Sequence, residues 1–228
     1  MLAFTDICLT YHGSPIIDNV SLSFGRSEVV GVVGPNGAGK TSLLNAICGC
    51  GNVSGVRRLN GRELKRGVSA DLSYVAAEPV VIEEFTAIEF MRFDAVARGL
   101  TCVKSEAEQL LAQFGCAGYA DRPLNACSLG MRKRVVLASA WQGAPKVILL
   151  DEPLNGLDTE AILVLKQAIG AVRERGGIVL VSAHVLSFIE ETCDRVLMLD
   201  GGAVIRDMPL HARNLEELFC SVYGSPEF

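Results

Sequence analysis

The sequence predicts an α/β fold in which a mainly parallel core sheet carries a flanking antiparallel β subdomain and a helical insertion. Three short apolar runs rich in β-branched residues predict strands that are buried on both faces, as in a parallel sheet. These runs occupy residues 28–34, 146–151 and 177–183. A helical pattern follows each run, over residues 41–48, 158–173 and 185–193. Strands that alternate with helices in this way are typical of an α/β domain.

The remaining segments predict the two additions to this core. The first 25 residues and residues 55–63 contain short alternating segments and turns such as Asn60-Gly61, which indicate an antiparallel sheet. Residues 84–125 are predicted to be helical, with a capping box at Thr86 opening one helix and residues 105–114 forming another. We therefore predict one domain over residues 1–223, with a helical subdomain at about 84–127. Residues 224–228 are consistent with a cloning remnant.

Composition excludes several classes of protein. Half of the residues are apolar and 21% are charged, so a sizeable core rather than disorder is expected. The 26 acidic and 21 basic residues give a net charge of −5, which argues against a nucleic-acid binder. The longest charge-free stretch, residues 41–56, contains three glycines and two asparagines, and the N-terminus lacks a signal-peptide pattern, so a soluble chain is expected. Eight cysteines without CxxC spacing predict reduced thiols rather than a metal site.

A glycine-rich loop between a predicted strand and a predicted helix fits the phosphate-binding pattern GxxxxGK[ST]. Its glycines let backbone N–H groups converge on phosphates, and the helix directs its positive end at the same anion. Lys40 would reach the β- and γ-phosphates, and the Thr41 hydroxyl would ligate Mg²⁺. The strand–helix context makes an incidental glycine-rich turn improbable. The predicted nucleotide-binding residues of this segment are Gly34, Asn36, Gly37, Gly39, Lys40, Thr41 and Ser42.

Two adjacent acids close the second buried strand. With a phosphate-binding loop in the same chain, Asp151 is expected to hold Mg²⁺, directly or through water. Glu152 is placed to orient or deprotonate an attacking water molecule, which predicts a hydrolase. Without that loop, adjacent acids would indicate only a solvated strand end or a helix cap.

Four further elements occur in a fixed order along the chain. Tyr11 precedes His-Gly, residues 127–131 read Cys-Ser-Leu-Gly-Met, Asp158 ends a run that begins with the paired acids, and His184 follows the third buried strand. With the phosphate-binding loop they resemble the nucleotide-binding subunits of ATP-binding cassette (ABC) transporters, over roughly residues 3–223. The resemblance implies that Tyr11 stacks on adenine, that Asp158 belongs to the D-loop, and that His184 is the catalytic switch histidine beside the expected γ-phosphate.

Residues 127–131, the signature segment, stand where this family carries LSGGQ. Ser128, Gly130 and Met131 lie at the start of a helix predicted over residues 129–141, with a hydroxyl and free N–H groups directed outward. The resemblance implies that they act in trans on the γ-phosphate held by a second subunit, so that ATP joins two subunits and hydrolysis releases them. Read alone, Ser128 would be an ordinary N-cap, His184 a strand-end histidine and Tyr11 an incidental exposed aromatic residue.

The sequence departs from the family pattern at two places. Leu129 replaces the first glycine of the signature, as in some exporter-type members. In the segment that resembles the Q-loop, Ala77 occupies the glutamine position and Glu78 follows it. A glutamate there accepts hydrogen bonds but lacks the amide donor and adds a charge.

We therefore predict an ATP-binding and ATP-hydrolysing subunit that powers an ABC-type membrane exporter through ATP-driven dimerisation. Residues 214–224 resemble the closing helix of drug, antibiotic and polysaccharide exporter ATPases, while the short chain resembles the haem-exporter ATPase of cytochrome c biogenesis. A soluble non-transport ABC ATPase, and a P-loop GTPase or small-molecule kinase, are the alternatives from other classes. The expected partners are an integral membrane permease and a second ABC ATPase subunit, identical or different, with no nucleic acid. The expected location is cytoplasmic, at the inner face of the cell membrane.

Overall fold

A computed structural model describes residues 1–210 and 214–224. The described strands are β1 (Leu2–Tyr11), β2 (Ser14–Phe24), β3 (Glu28–Val33), β4 (Asn52–Leu59), β5 (Arg62–Glu63), β6 (Leu72–Val75), β7 (Val147–Leu150), β8 (Ile178–Ser182), β9 (Arg195–Asp200) and β10 (Ala203–Pro209). The described helices are α1 (Lys40–Cys48), α2 (Ala87–Ala97), α3 (Lys104–Gln113), α4 (Leu129–Ala140), α5 (Thr159–Glu174), α6 (Leu186–Thr192) and α7 (Leu215–Tyr223). The ranges predicted from the sequence for β3, β7, β8, α1, α3, α4, α5 and α6 agree with these bounds to within one residue, whereas β4 begins three residues before the predicted segment 55–63.

The core sheet has the strand order β10-β9-β3-β8-β7-β6. Neighbouring strands are parallel except β10, which runs antiparallel to β9 at one edge. The central strands β3, β7 and β8 are buried along almost their whole length because helices or the second sheet cover both faces. The predicted mainly parallel core is therefore confirmed, and it brings the carboxyl ends of β3, β7 and β8 to one edge.

The second sheet is antiparallel, with the order β2-β1-β4-β5. Leu2 pairs with Phe24 on one side and with Leu59 on the other. Helix α1 packs between the two sheets, since Leu44 and Ile47 share one apolar core with residues of both. The predicted antiparallel subdomain is confirmed, and the helix that follows the phosphate-binding loop is held from two sides.

The segment between β6 and β7 is helical, as predicted, but loops and two single 3₁₀ turns (Ala117–Tyr119 and Leu124–Ala126) interrupt it. Helices α2, α3 and α4 pack together around buried apolar residues, including Leu111 and Trp141. Among the described helices, none combines the length and the apolar character that a membrane crossing requires. Four residues of the predicted tail, 225–228, lie outside the described residues.

The capping box predicted at the start of α2 is formed in full. Glu89 N–H donates to Thr86 Oγ1 at 3.2 Å, and Thr86 N–H donates to Glu89 Oε2 at 2.8 Å. The hydrogen bond from the Thr86 N–H is the main reason that the pKa of Glu89 lies below its ordinary value. These bonds satisfy N–H groups that have no partner within the helix.

We expect Thr86→Ala to lower the free energy of unfolding by about 1 kcal/mol. For a chain of this size that change corresponds to a fall in melting temperature of about 2–4 °C. Thermal unfolding followed by circular dichroism measures it, with Ser105→Ala at an exposed position of α3 as the matched control. Equal melting temperatures for the two variants would contradict the prediction.

Candidate active site

The loop between β3 and α1, residues 34–39, has the backbone that its glycines predict. Gly37 and Gly39 have φ angles of 80° and 101°, in the left-handed region where a side chain is strained. A Cβ atom at Gly37 would meet no atom within 4 Å, so this side of the loop is open to a ligand. A Cβ atom at Gly34 would instead lie 2.5 Å from the carbonyl oxygen of Leu199, because the loop packs closely against β9.

The turn between β9 and β10 supports this loop, and sequence reasoning missed it. Gly202 N–H donates to the Ala38 carbonyl at 2.9 Å. A Cβ atom at Gly202 would lie 1.8 Å from the carbonyl oxygen of Ile16, so the turn fits between the loop and β2 only as glycine. The Gly201-Gly202 pair between two apolar runs was the signal that could have predicted this hairpin.

Lys40 begins α1, and its side chain folds back into the loop. It is 7% exposed, and Nζ donates to the carbonyl oxygens of Gly34 at 2.8 Å and Pro35 at 3.2 Å. Burial lowers the pKa of Lys40, and the carboxylates of Glu152 and Asp151 oppose that shift. The ammonium group therefore lies inside the loop that is predicted to hold phosphates. Of the other predicted residues of this segment, Asn36 and Thr41 are exposed.

Asp151 lies directly after β7 and is completely buried. Its Oδ1 accepts a hydrogen bond from the Ser182 hydroxyl at 2.6 Å, whereas Oδ2 has no hydrogen-bond partner among the described residues. A buried carboxylate oxygen without a partner is costly unless a cation compensates it. Because Mg²⁺ prefers oxygen ligands, Asp151 and the exposed hydroxyl of Thr41 fit the magnesium site predicted from the sequence. Ser182, at the end of β8, was missed by sequence reasoning.

Glu152 and His184, the two predicted catalytic residues, lie side by side. His184 Nε2 is 3.0 Å from Glu152 Oε1. This is a close approach rather than an aligned hydrogen bond, since Oε1 is also without a hydrogen-bond partner in the part of the chain that the structure describes. Glu152 has a φ angle of 44°, which is unusual for a residue with a side chain.

Tyr11 ends β1 and is 66% exposed, as a residue that stacks on a ligand ring would be. Its strand pairs with β2, where Leu9 lies opposite Ile17. Ile17 Cδ1 lies 3.5 Å from the Cβ position at Gly39, so this hairpin lies next to the phosphate-binding loop. The structure therefore places Tyr11 on an element that contacts the loop.

The signature segment and the start of α4 pack against the residues around Asp158. A Cβ atom at Gly130 would lie 2.8 Å from the carbonyl oxygen of Gly156, so the signature glycine is also required for packing within the chain. Arg134 Nη2 donates to Asp158 Oδ1 at 2.6 Å, and Asp158 accepts the Ala161 N–H to cap α5. The Ala161 hydrogen bond, followed by the one from Arg134, holds the pKa of Asp158 below its ordinary value.

The start of α4 differs in one respect from the expectation. Ser128 Oγ accepts the Met131 N–H at 3.2 Å, so the serine is an N-cap and that N–H is not free. The side chain of Leu129 is exposed beside it. Within the described ranges, no hydrogen bond or ion pair joins residues 127–131 to residues 34–42. The chain therefore does not link its signature segment to its own phosphate-binding loop by a polar contact.

The Q-loop position follows β6. Glu78 is exposed, whereas the carbonyl oxygen of Ala77 accepts a hydrogen bond from the Lys133 ammonium at 3.4 Å. Lys133 also donates to the carbonyl oxygen of Glu152 at 2.9 Å. No signal in the sequence separated this lysine from the other basic residues of α4.

Comparison with known proteins shows which family the chain belongs to. The ABC transporter family model matches residues 17–155, more than half of the chain. The lantibiotic transport ATP-binding protein SrtF of Streptococcus pyogenes is 30% identical over 221 residues, which are 96% of each chain. The zinc import ATP-binding protein ZnuC of Roseobacter denitrificans is 36% identical over 204 residues, which are 89% of this chain and 76% of that protein.

Solved structures share the fold. An ATP-binding subunit of an ABC transporter superposes with a TM-score of 0.86 at 28% identity, covering 97% of this chain and 99% of that one. An ATP-binding cassette solved as a post-hydrolysis dimer with ADP and phosphate superposes with a TM-score of 0.80 at 23% identity, covering 93% of this chain and 100% of that one.

Proposed function

As a member of the ABC transporter family this chain is an ATPase, and we propose that it powers an exporter through ATP-driven dimerisation. The proposal is supported by one observation: residues predicted to bind the metal, to activate water and to bind phosphates lie together at one edge of the core sheet. The buried Asp151 carries an oxygen without a partner, Glu152 lies 3.0 Å from His184, and Lys40 fills the loop beside them.

The residues of this edge divide the chemistry of ATP hydrolysis between them. Free backbone N–H groups of the loop between β3 and α1 and the ammonium of Lys40 bind the phosphates, and Thr41 and Asp151 hold Mg²⁺. When bound, Mg²⁺ neutralises charge on the phosphate oxygens. Glu152 orients a water molecule and takes its proton as the water attacks the γ-phosphate, yielding ADP and phosphate. His184 lies beside Glu152, close enough to fix the position of that carboxylate.

Pairing of two subunits completes the site. Ser128, Gly130 and Met131 begin α4, and the N-terminal end of a helix attracts anions. Since no polar contact within the described residues joins them to their own phosphate-binding loop, we assign them to the γ-phosphate of a second subunit. That subunit is a second copy of this chain or a different ABC ATPase. Tyr11 then stacks on the adenine held by its own subunit.

The proposal of export rests on the exporter-type resemblance of the sequence, since the relatives include both a lantibiotic transport protein and a zinc import protein. The lantibiotic transport protein matches this chain over nearly its full length, whereas the zinc import protein extends well beyond the match. Helix α7, capped by Asn214, closes the described chain as the exporter resemblance implies. The haem-exporter-like and soluble non-transport alternatives both retain the ATPase chemistry but differ in partner.

We propose that exposed apolar residues on α2 form a docking patch for the permease. Phe93 and Val96 are 50% and 66% exposed, and with Phe85 they line a shallow cavity of about 330 Å³. Val80, which follows the Q-loop position, is also exposed and lines a second cavity together with Asp94 of α2. A membrane protein that covers these apolar residues would therefore contact α2 and the Q-loop segment together. We propose on this basis that the chain works at the inner face of the cell membrane.

We expect the double variant Phe93→Ser/Val96→Ser to keep the basal ATPase rate and to lose stimulation by the permease, because both residues are exposed and far from the catalytic acids in sequence. The measurement compares ATP turnover of the chain alone with turnover in proteoliposomes that contain the membrane protein encoded beside it. Val103→Ser, another exposed valine of the helical region, is the matched control and should retain stimulation. Failure of that membrane protein to stimulate the wild-type chain would contradict the transport proposal.

A further inference from the structure

Lys133 is a buried lysine that bridges three segments of the candidate site. It lies on α4 two residues after the signature segment and is only 3% exposed. Its ammonium donates to the carbonyl oxygen of Glu152 at 2.9 Å and to that of Ala77 at 3.4 Å. A lysine side chain is rarely buried unless other groups offset the cost of removing its charge from water. Here the two main-chain carbonyl oxygens do so by accepting hydrogen bonds from the ammonium. The ammonium therefore joins α4, the Q-loop position and the residue after Asp151.

The backbone that Lys133 holds is a strained one. A φ angle of 44° at a glutamate persists only where the surroundings enforce it. Both polar groups of Glu152 are held, since its N–H donates to Ser182 Oγ at 2.9 Å and its C=O accepts from Lys133. This conformation directs the Glu152 carboxylate towards His184. Without the Lys133 ammonium the Glu152 carbonyl would keep only the longer hydrogen bond from the Asn155 N–H, at 3.4 Å, and the backbone from which the catalytic carboxylate projects would be held less firmly.

We propose that Lys133 is a positioning residue for ATP hydrolysis, whose buried ammonium ties the carbonyl of Ala77 to that of Glu152 and so sets the Glu152 carboxylate. The proposal rests on the ATPase assignment of Glu152. It also gives the Q-loop position a connection to the catalytic acid that needs no glutamine side chain, because the main chain of Ala77 is held directly. A movement of the Q-loop segment would then be transmitted to the backbone of Glu152 through the Lys133 side chain.

Steady-state ATPase kinetics and ATP binding test this role. In Lys133→Met the stem remains but the ammonium is lost, and kcat should fall by about ten- to a hundredfold, as expected when a charged hydrogen bond that positions a catalytic group is removed. KM and the Kd for ATP should stay unchanged, because Lys40 and its loop are untouched. Lys133→Gln keeps donors for the two carbonyls on a shorter side chain, so its kcat should lie above that of the Met variant but about two- to fivefold below wild type.

Lys104→Met is the matched control, since Lys104 is an exposed lysine of α3 paired only with Glu108 in the described structure. It should leave kcat and KM unchanged. A wild-type kcat in Lys133→Met, or a Gln variant as slow as the Met variant, would overturn the proposal. Parallel losses of ATP affinity and turnover would also overturn it, since they indicate a general structural role.

Two further outcomes separate this proposal from the one on which it rests. If Lys133→Met does not fold, Lys133→Gln carries the test, and a kcat identical to wild type would overturn the proposal. Its shorter side chain should lower kcat severalfold at unchanged ATP affinity. An inactive wild-type chain would overturn the ATPase mechanism together with this inference, whereas an active one with an unaffected Met variant would overturn the inference alone.

Discussion

Replacing Lys40 with alanine is expected to abolish ATP hydrolysis and to weaken ATP binding by at least about a hundredfold. The ammonium group is buried inside the phosphate-binding loop, where it donates hydrogen bonds to the carbonyl oxygens of Gly34 and Pro35. A bound nucleotide would place its β- and γ-phosphates against this charge, and a charge-assisted hydrogen bond in a poorly solvated site is among the strongest single contacts a protein makes.

Phosphate release measures the turnover of this variant, and isothermal titration calorimetry measures its ATP affinity. Lys146→Ala is the matched control, because Lys146 is an exposed lysine that pairs with Asp71 at 2.9 Å and such surface pairs contribute little. It should behave as wild type in both assays. Turnover by Lys40→Ala at the wild-type rate would remove the assignment of residues 34–42 as the nucleotide site.

The second large effect is expected from Glu152→Gln. The amide is nearly isosteric with the carboxylate but does not take a proton from water, so turnover should fall by about a hundredfold or more. Loss of a negative charge beside the γ-phosphate should at the same time favour the ATP-bound pair of subunits. We expect this variant to be monomeric without nucleotide, dimeric with Mg-ATP and monomeric with Mg-ADP, as measured by light scattering at high protein concentration.

A second substitution tests the route by which the dimer forms. Ser128→Arg, added to Glu152→Gln, should abolish the dimer because it places bulk at the start of α4, where the second subunit's phosphate is proposed to bind. Ser105→Arg, at an exposed position of α3, is the matched control and should leave the dimer intact. A dimer that forms equally with ADP, or that survives Ser128→Arg, would contradict the action of the signature segment in trans.

The elements that the sequence predicted well are those whose conformation is determined by a few consecutive residues. Continuous apolar runs indicated β3, β7 and β8, and Thr86 with Glu89 indicated the start of α2. The strand β9 was not predicted, although its residues 196–199 are all buried, because a short apolar run does not by itself distinguish a strand from a buried helical turn. Only its parallel pairing with β3 decides that it is a strand.

The same division holds in the candidate site. The sequence by itself predicted the phosphate-binding loop, the adjacent acids and an N-cap reading of Ser128, because backbone stereochemistry and hydrogen bonds over three or four residues define them. A pattern in the sequence also placed Tyr11 and His184, through resemblance to a family rather than through geometry.

The tertiary structure alone decided which distant groups meet. Gly202 contacts Ile16, Gly130 contacts Gly156, and Lys133 reaches the carbonyls of Ala77 and Glu152. In each case the partners lie far apart in the chain, and their contact depends on strand order and on the packing of α4 against the core sheet. A glycine or a lysine looks the same in the sequence whether its neighbour in space is solvent or a buried carbonyl, so the role of these residues follows only from the folded arrangement.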